Sequence, residues 1–347
     1  MKIKKQKENK TKNEKLKKHI NININFTIVA IVLIAIFCIC VTPITLQNDT
    51  YYTIKIGELI KNNGIDMMDH FSWHENLSYT YPHWLYDLCT YFIYAIGGFK
   101  GIYIITCALS VILGISIFLV NSKLTKNKSI SFIITIGAIY VLKPYIAARA
   151  QLVTFILFIW EIFFIEKFIE NRKIGYGIGL IIISVLIANL HVATWPFFFV
   201  LFLPYIAEYL ISLISDIIIY KKDRELVIKY KIKVAQKKNN LERVGELQTK
   251  LNELEDKNIK IKAKREDENN SYKLIIKRKK NVKFLIIIMI ICAFTGLLTP
   301  IGDTPYTYLY KTMEGNTTES ISEHLPLTLI NNNEAMCILV IFLAILI

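Results

Sequence analysis

Apolar runs long enough to cross a lipid bilayer recur along this chain, at residues 27–46, 101–120, 129–146, 150–168, 177–191, 196–220 and 283–299. Lipid offers a backbone no hydrogen-bond partner, so a spanning run must be a helix of about 20 residues that satisfies its own amides. The expectation is an all-α, polytopic membrane protein with roughly 7–8 transmembrane helices. A last run, 335–347, is too short to cross, and reads either as the start of a longer helix or as a partly inserted one. The first run is longer than the apolar core of a cleavable signal and lacks a small-residue cleavage site, so it is expected to stay as an anchor.

The chain is 53% hydrophobic yet carries a formal charge of +14, so apolar and basic stretches must be segregated. Residues 1–18 hold nine lysines against Glu8 and Glu14, which places the N-terminus in the cytoplasm of a multi-pass cell-membrane protein. Residues 83–98, "HWLYDLCTYFIYAIGG", are short, contain Asp87 and end at Gly97-Gly98. Read as a surface or re-entrant helix, this stretch leaves 121–128, 166–173 and 221–282, all basic, on the cytoplasmic side; read as a span, it would put them outside. The charge rule therefore favours the dipping helix. The division that follows is a basic tail (1–25), a transmembrane core (26–220) with an external loop (47–100), a cytoplasmic insert (221–282), and a final part (283–347) with a helix, an external loop (300–333) and a truncated last helix. The cysteines (Cys38, Cys40, Cys89, Cys107, Cys292, Cys337) have neither zinc nor disulfide spacing and read as small core hydrophobes.

The insert holds twenty of the 42 Lys and Arg residues. Val244, Leu247, Leu251, Leu254, Asn258 and Ile261 follow a 3,4 spacing, and Asn239-Asn240 suits a turn, so a helical hairpin or short coiled coil is expected. Its stripe, 241–261, is either solvated or a surface for self- or partner-association. The flank 273–283, "KLIIKRKKNVK", fits anionic membrane lipid. Base-reading and stacking motifs are absent, which argues against nucleic acid.

With this orientation the polar residues of the core gather outside. Asp49 follows the first run directly; it is either an N-cap, a role Thr50 could share, or a carboxylate placed to take a proton. Arg149 sits at an external helix end, either snorkelling to headgroups or facing a cavity. Asp66, Asp69, His70 and His74 in "DMMDHFSWH" either bond the backbone of a turn or hold a divalent cation; no other cofactor is indicated. The aromatics around them (Tyr51, Tyr52, Phe71, Trp73, Tyr79, Tyr81, Trp84) fit an interfacial belt or sugar stacking.

An Asp outside the first span, Gly57, the Gly64 turn, "DHFSW" (69–73), "HWLYDL" (83–88), "RAQ" (149–151), "ANLH" (188–191), "TPIG" (299–302) and "EHLPL" (323–327) together resemble bacterial membrane proteins of the GT-C glycosyltransferase superfamily. The chain departs from that pattern at His83, where an acidic residue is expected, and in "RAQ" and "TPIG". The resemblance implies a helical multispanning fold and transfer of a sugar from a polyprenyl-phosphate donor to an envelope acceptor. It implies Asp49 as catalytic base, Arg149 and His191 on the donor phosphate, and Asp69, His70, His83 and Trp84 as further substrate-binding residues. The competing expectations are a noncatalytic scaffold for envelope polymers, a transporter, for which no inverted repeat is evident, and an interaction module carried by the insert.

Overall fold

The computed structural model describes residues 25–222, 224–237, 241–266 and 279–313. The basic tail, most of the 273–283 flank, the "EHLPL" motif with His324, Cys337 and the 335–347 run lie outside the described residues. Among those described, the chain is helical, with one isolated antiparallel bridge, Met68 to Ser78, and no strand. The helices are α1 (Phe26–Val41), α2 (Asn48–Asn63), α3 (Trp84–Thr125), α4 (Lys128–Leu142), α5 (Ala150–Asn171), α6 (Ile174–Leu190), α7 (Trp195–Val200), α8 (Leu203–Lys222), α9 (Arg224–Lys237), α10 (Leu241–Glu266), α11 (Val282–Ala293) and α12 (Thr304–Met313), with 3-10 turns at Lys143–Tyr145, Val192–Thr194 and Phe294–Leu297.

Each of the seven runs expected to span holds a helix, but several helices are shorter than the run. α1 stops at Val41 rather than at 46, because Pro43 cannot continue a helix and forces Thr42 extended (ψ 122°). The Thr42 hydroxyl closes the end by donating to the Cys38 carbonyl at 2.7 Å. α4 likewise ends at Leu142, before Pro144 in the following 3-10 turn. Among the described residues two stretches are long and apolar enough to cross a membrane, Trp84–Thr125 and Val192–Ile214, the latter joining a 3-10 turn, α7 and most of α8. α5 has the length but carries Glu161, Glu166 and Lys167 within it. α3 is broken at Gly98, whose φ of 58° and ψ of −152° belong to glycine alone, so 84–97 and 99–125 are separate helices. The break falls on the Gly97-Gly98 pair that ends the surface helix expected at 83–98.

The described chain divides into two compact units, one from Met1–Asn62 and Leu85–Trp160, the other from Asn63–Trp84 and Glu161–Ile347, so far as these are described. In the first, Ala30, Ile34 and Cys38 form one stripe of α1 and pack on Leu113, Ile117 and Phe118 of α3 and Ile139 of α4. Gly114 makes this crossing close: a Cβ there would lie 2.7 Å from both Cys38 Sγ and Ile34 Cγ2. The other faces of α1 are equally apolar and lie exposed, Ile28 at 61% and Ile36 at 54%. A smaller cluster joins Ile54 of α2 to Ile102 of α3 and to Ala148. Here Gly57 is the contact point, since a Cβ would lie 2.6 Å from Tyr91 Cβ and run into the Asp87 carbonyl.

In the second unit, α6 meets α11, the 3-10 turn after it and α7 across a polar seam. The Ser184 and Thr295 hydroxyls lie 2.7 Å apart, and Trp195 Nε1 donates to Ser184 Oγ at 3.1 Å. Glu161 of α5 is fully buried, and neither carboxyl oxygen has a hydrogen-bond partner among the described residues. α9 and α10 pair as a hairpin, Ile232 and Ala235 buried on one, Val244, Leu247 and Leu251 half-buried on the other.

Two outcomes follow from this packing. Gly57→Ala is expected to destabilise by about 1–3 kcal/mol through overpacking against rigid backbone, while Gly97→Ala, with open space around its Cβ, is neutral; thermal midpoints of the purified protein check the pair. Glu161→Leu is expected to raise the midpoint, because removing a buried unbonded polar group relieves about 1–3 kcal/mol; a lowered midpoint would show that the carboxyl is satisfied.

Candidate functional site

Asp49 stands in the first turn of α2, and Arg149 in the turn leading into α5. The two form an ion pair, Arg149 Nη2 to Asp49 Oδ2, across 100 residues of sequence. The turn that presents the guanidinium is rigid: Ile146, Ala147, Ala148 and Ala150 are buried, Arg149 N–H donates to the Ala147 carbonyl at 2.8 Å, and Leu152 N–H to the Arg149 carbonyl at 3.1 Å. Thr50, also expected as a cap, is buried and donates its hydroxyl to the Ala148 carbonyl at 3.4 Å. The Asp49 side chain is 59% exposed and that of Arg149 26%. A pair this wet contributes about 0–1 kcal/mol, too little to hold α2 in place. The packing at Ile54 and Gly57 does that, and the ion pair is set by it. The arrangement is an exposed carboxylate paired with a half-buried guanidinium.

The remaining candidates lie in the second unit and form two groups. His83 and His191 face each other with ring centroids 5.4 Å apart, His191 buried and His83 half-buried. Around them, the Pro82 carbonyl accepts from Val192 N–H at 2.8 Å, and Trp84 Nε1 donates to Asn189 Oδ1 at 3.2 Å. Asn189 Nδ2 in turn donates to the carbonyls of Val185, at 2.8 Å, and Leu298, at 3.2 Å. Three stretches singled out in the sequence, around 83, 189 and 299, are thus joined through one amide. Asn189 itself was not among the expected site residues. Its signal was a polar amide at the end of an apolar run, which has to find partners when buried.

The second group is the loop at 66–81. Asp66 Oδ1 accepts from Met68 N–H at 3.1 Å and from the Tyr81 hydroxyl at 2.9 Å, and Oδ2 lies 2.7 Å from His70 Nε2. Asp69 Oδ1 accepts from the Phe71 and Ser72 amides, at 2.8 and 3.4 Å, and so closes a turn. The His74 ring lies against Trp73, centroids 3.8 Å apart, with Trp73 87% exposed. Of the four residues weighed as cation ligands, only Asp66 and His70 meet, and among the described residues no group of three or more His, Cys, Asp or Glu is arranged to hold a metal. Asp69 does the backbone work that turn carboxylates commonly do.

Desolvation tends to raise the Asp66 carboxyl, but the Met68 amide, His70 and the Tyr81 hydroxyl together outweigh it and hold the group below its ordinary value of 3.8. Since the folded loop binds this proton less tightly than the unfolded chain, the carboxylate stabilises the loop above that value, and the stabilisation fades as pH falls through the depressed one. Amide exchange at Asp69 and Tyr79, whose N–H groups donate to Leu77 and Met67, is expected to speed up below about pH 4 in the wild type, and to lose that dependence in Asp66→Asn. The chain matches no family model, no curated protein and no solved structure.

Proposed function

We propose that this chain is a multi-pass membrane protein of the glycosyltransferase type, with its N-terminus in the cytoplasm, which moves a sugar from a polyprenyl-phosphate donor to an envelope acceptor on the outer face. The observation that carries the reading is the Asp49–Arg149 pair: an exposed carboxylate and a half-buried guanidinium, held together by buried turns on either side. Support for the membrane comes from two apolar stretches of crossing length among the described residues and from the apolar faces of α1 that remain exposed.

In this mechanism the donor phosphate approaches Arg149 and competes with Asp49 for the guanidinium, since a phosphate accepts paired N–H donors as a carboxylate does. Asp49 is thereby released toward the acceptor. The bond from the anomeric carbon to the phosphate oxygen breaks with its electron pair staying on the phosphate, where Arg149 offsets the developing charge. The acceptor hydroxyl forms the new bond to that carbon and yields its proton to Asp49. Assigning His191 to the donor phosphate rests on the sequence resemblance and is tested separately by His191→Gln.

A second reading is favoured by the same contact together with the Thr50–Ala148 bond: in it the two contacts form a latch joining α2 to the Arg149 turn in a noncatalytic scaffold.

The full chain in vesicles, supplied with undecaprenyl phosphate carrying a radiolabelled hexose and an envelope acceptor fraction, decides between them. Consumption of the donor is expected, falling about 100-fold or more in Asp49→Asn and about 100-fold in Arg149→Gln. Wild-type turnover no higher than in empty vesicles would defeat the enzyme reading. Turnover unchanged in both variants would defeat the roles given to these residues.

A further inference from the structure

At the turn between α5 and α6, an apolar groove of about 280 Å³ is lined by Phe168, Gly177, Ile178, Phe284, Ile287 and Ile288, with Arg172 at its rim. We propose that this groove is a binding site for an anionic phospholipid, one acyl chain lying along the groove and the headgroup phosphate held by Arg172 and Lys283. The proposal is separate from glycosyl transfer and rests on the membrane reading and its orientation.

Three observations carry it. The Arg172 guanidinium lies over the Phe284 ring, 3.4 Å from its centroid, and Lys283 Nζ lies 4.9 Å from the same centroid, so two cations share one aromatic ring. Stacking on a ring fixes a guanidinium while leaving its N–H edge free for a phosphate. Neither Arg172 nor Lys283 forms an ion pair among the described residues, and the neighbouring Glu170 is taken by Lys167 at 2.6 Å. The second observation is position. Asn281 Nδ2 donates to the Ile169 carbonyl at 2.8 Å, which ties the start of α11 to the end of α5 and brings Lys280 and Lys283 to the turn that carries Arg172 and Lys173. Basic pockets between membrane helices on the cytoplasmic side recognise anionic headgroups, and 166–173 is the side the charge rule makes cytoplasmic. The third is backbone conformation. Arg172 has φ +50°, at a helix end where glycine is the usual residue, so a large cationic side chain stands where the backbone would favour none.

The shape favours a lipid tail over a compact solute. Ile178 and Ile287 are 51% and 53% exposed, so the groove is an open channel. Pockets for compact ligands begin near 300 Å³ and bury most of the ligand, whereas a linear chain needs only a trough.

The test uses the full chain in phosphatidylcholine vesicles containing a minority of phosphatidylglycerol, with Ile178→p-benzoylphenylalanine as photo-crosslinker and intact-mass analysis as readout. The expected adduct is phosphatidylglycerol, captured at least fivefold above its share of the lipid, with the preference shrinking as salt rises. Arg172→Gly with Lys283→Gln is expected to abolish the preference; Arg172→Gly suits the left-handed backbone, so folding is retained, and the thermal midpoint checks it. Inorganic phosphate is expected not to compete, since it lacks the acyl chain. Capture of both lipids in proportion to their abundance, a crosslink to another segment or to a second copy of the chain, or displacement by inorganic phosphate would each overturn the proposal.

Discussion

The missing side chain of Gly57 lets the backbone of α2 lie against Asp87 and Tyr91 on the first half of α3, and the position of Asp49 depends on that approach. α2 is half polar and would gain little by lying on the bilayer alone. Its buried stripe of Thr53, Ile54, Ile56 and Ile60 is what fastens it. Once α2 is seated, its first turn meets the alanine-rich turn at 146–150, and the ion pair closes over a contact made by apolar groups. The order matters energetically: an exposed pair contributes about 0–1 kcal/mol, while each buried isoleucine contributes about 1.5–3 kcal/mol. Charge chemistry here is the passenger of packing.

Much of the helix map was legible because an apolar run in lipid has one stable form. The helix break at Gly97-Gly98 was legible too, since paired glycines ending an apolar run mark a place where regular helix fails. The ends of α1 and α4 were misjudged where hydropathy was followed past Pro43 and Pro144, although a proline fixes a helix end more firmly than apolarity extends it. The 3,4 stripe of the insert was readable as far as Leu251, and Leu254, Asn258 and Ile261 fall among residues whose side chains are not described.

The candidate site was legible as a set of residues and not as a set of contacts. Asp49 and Arg149 were each marked by position beside an apolar run, one as cap or base, the other as snorkelling or functional. That they pair is a fact of tertiary packing across 100 residues, which no local pattern carries. Thr50 illustrates the same limit: a residue that fits a cap by sequence donates instead to a carbonyl on a distant turn. The loop at 66–81 went the other way, because short-range Asp and His chemistry is local, and the alternative of backbone bonding accounts for Asp69. The carboxylate–guanidinium pair and the polar junction at Asn189 give the two units different characters, the first holding opposite charges at a wet edge, the second a pair of imidazoles among satisfied amides.

The juxtaposition of positions 49 and 149 is the claim on which this account stands. In a chain freed of its native cysteines, cysteines placed at 49 and 149 and treated in membranes with a bifunctional maleimide of short reach are expected to link within one chain, giving a compact species on a denaturing gel. If the two positions react with single maleimides yet never link to each other, or link only between chains, α2 does not meet the Arg149 turn and the account is contradicted.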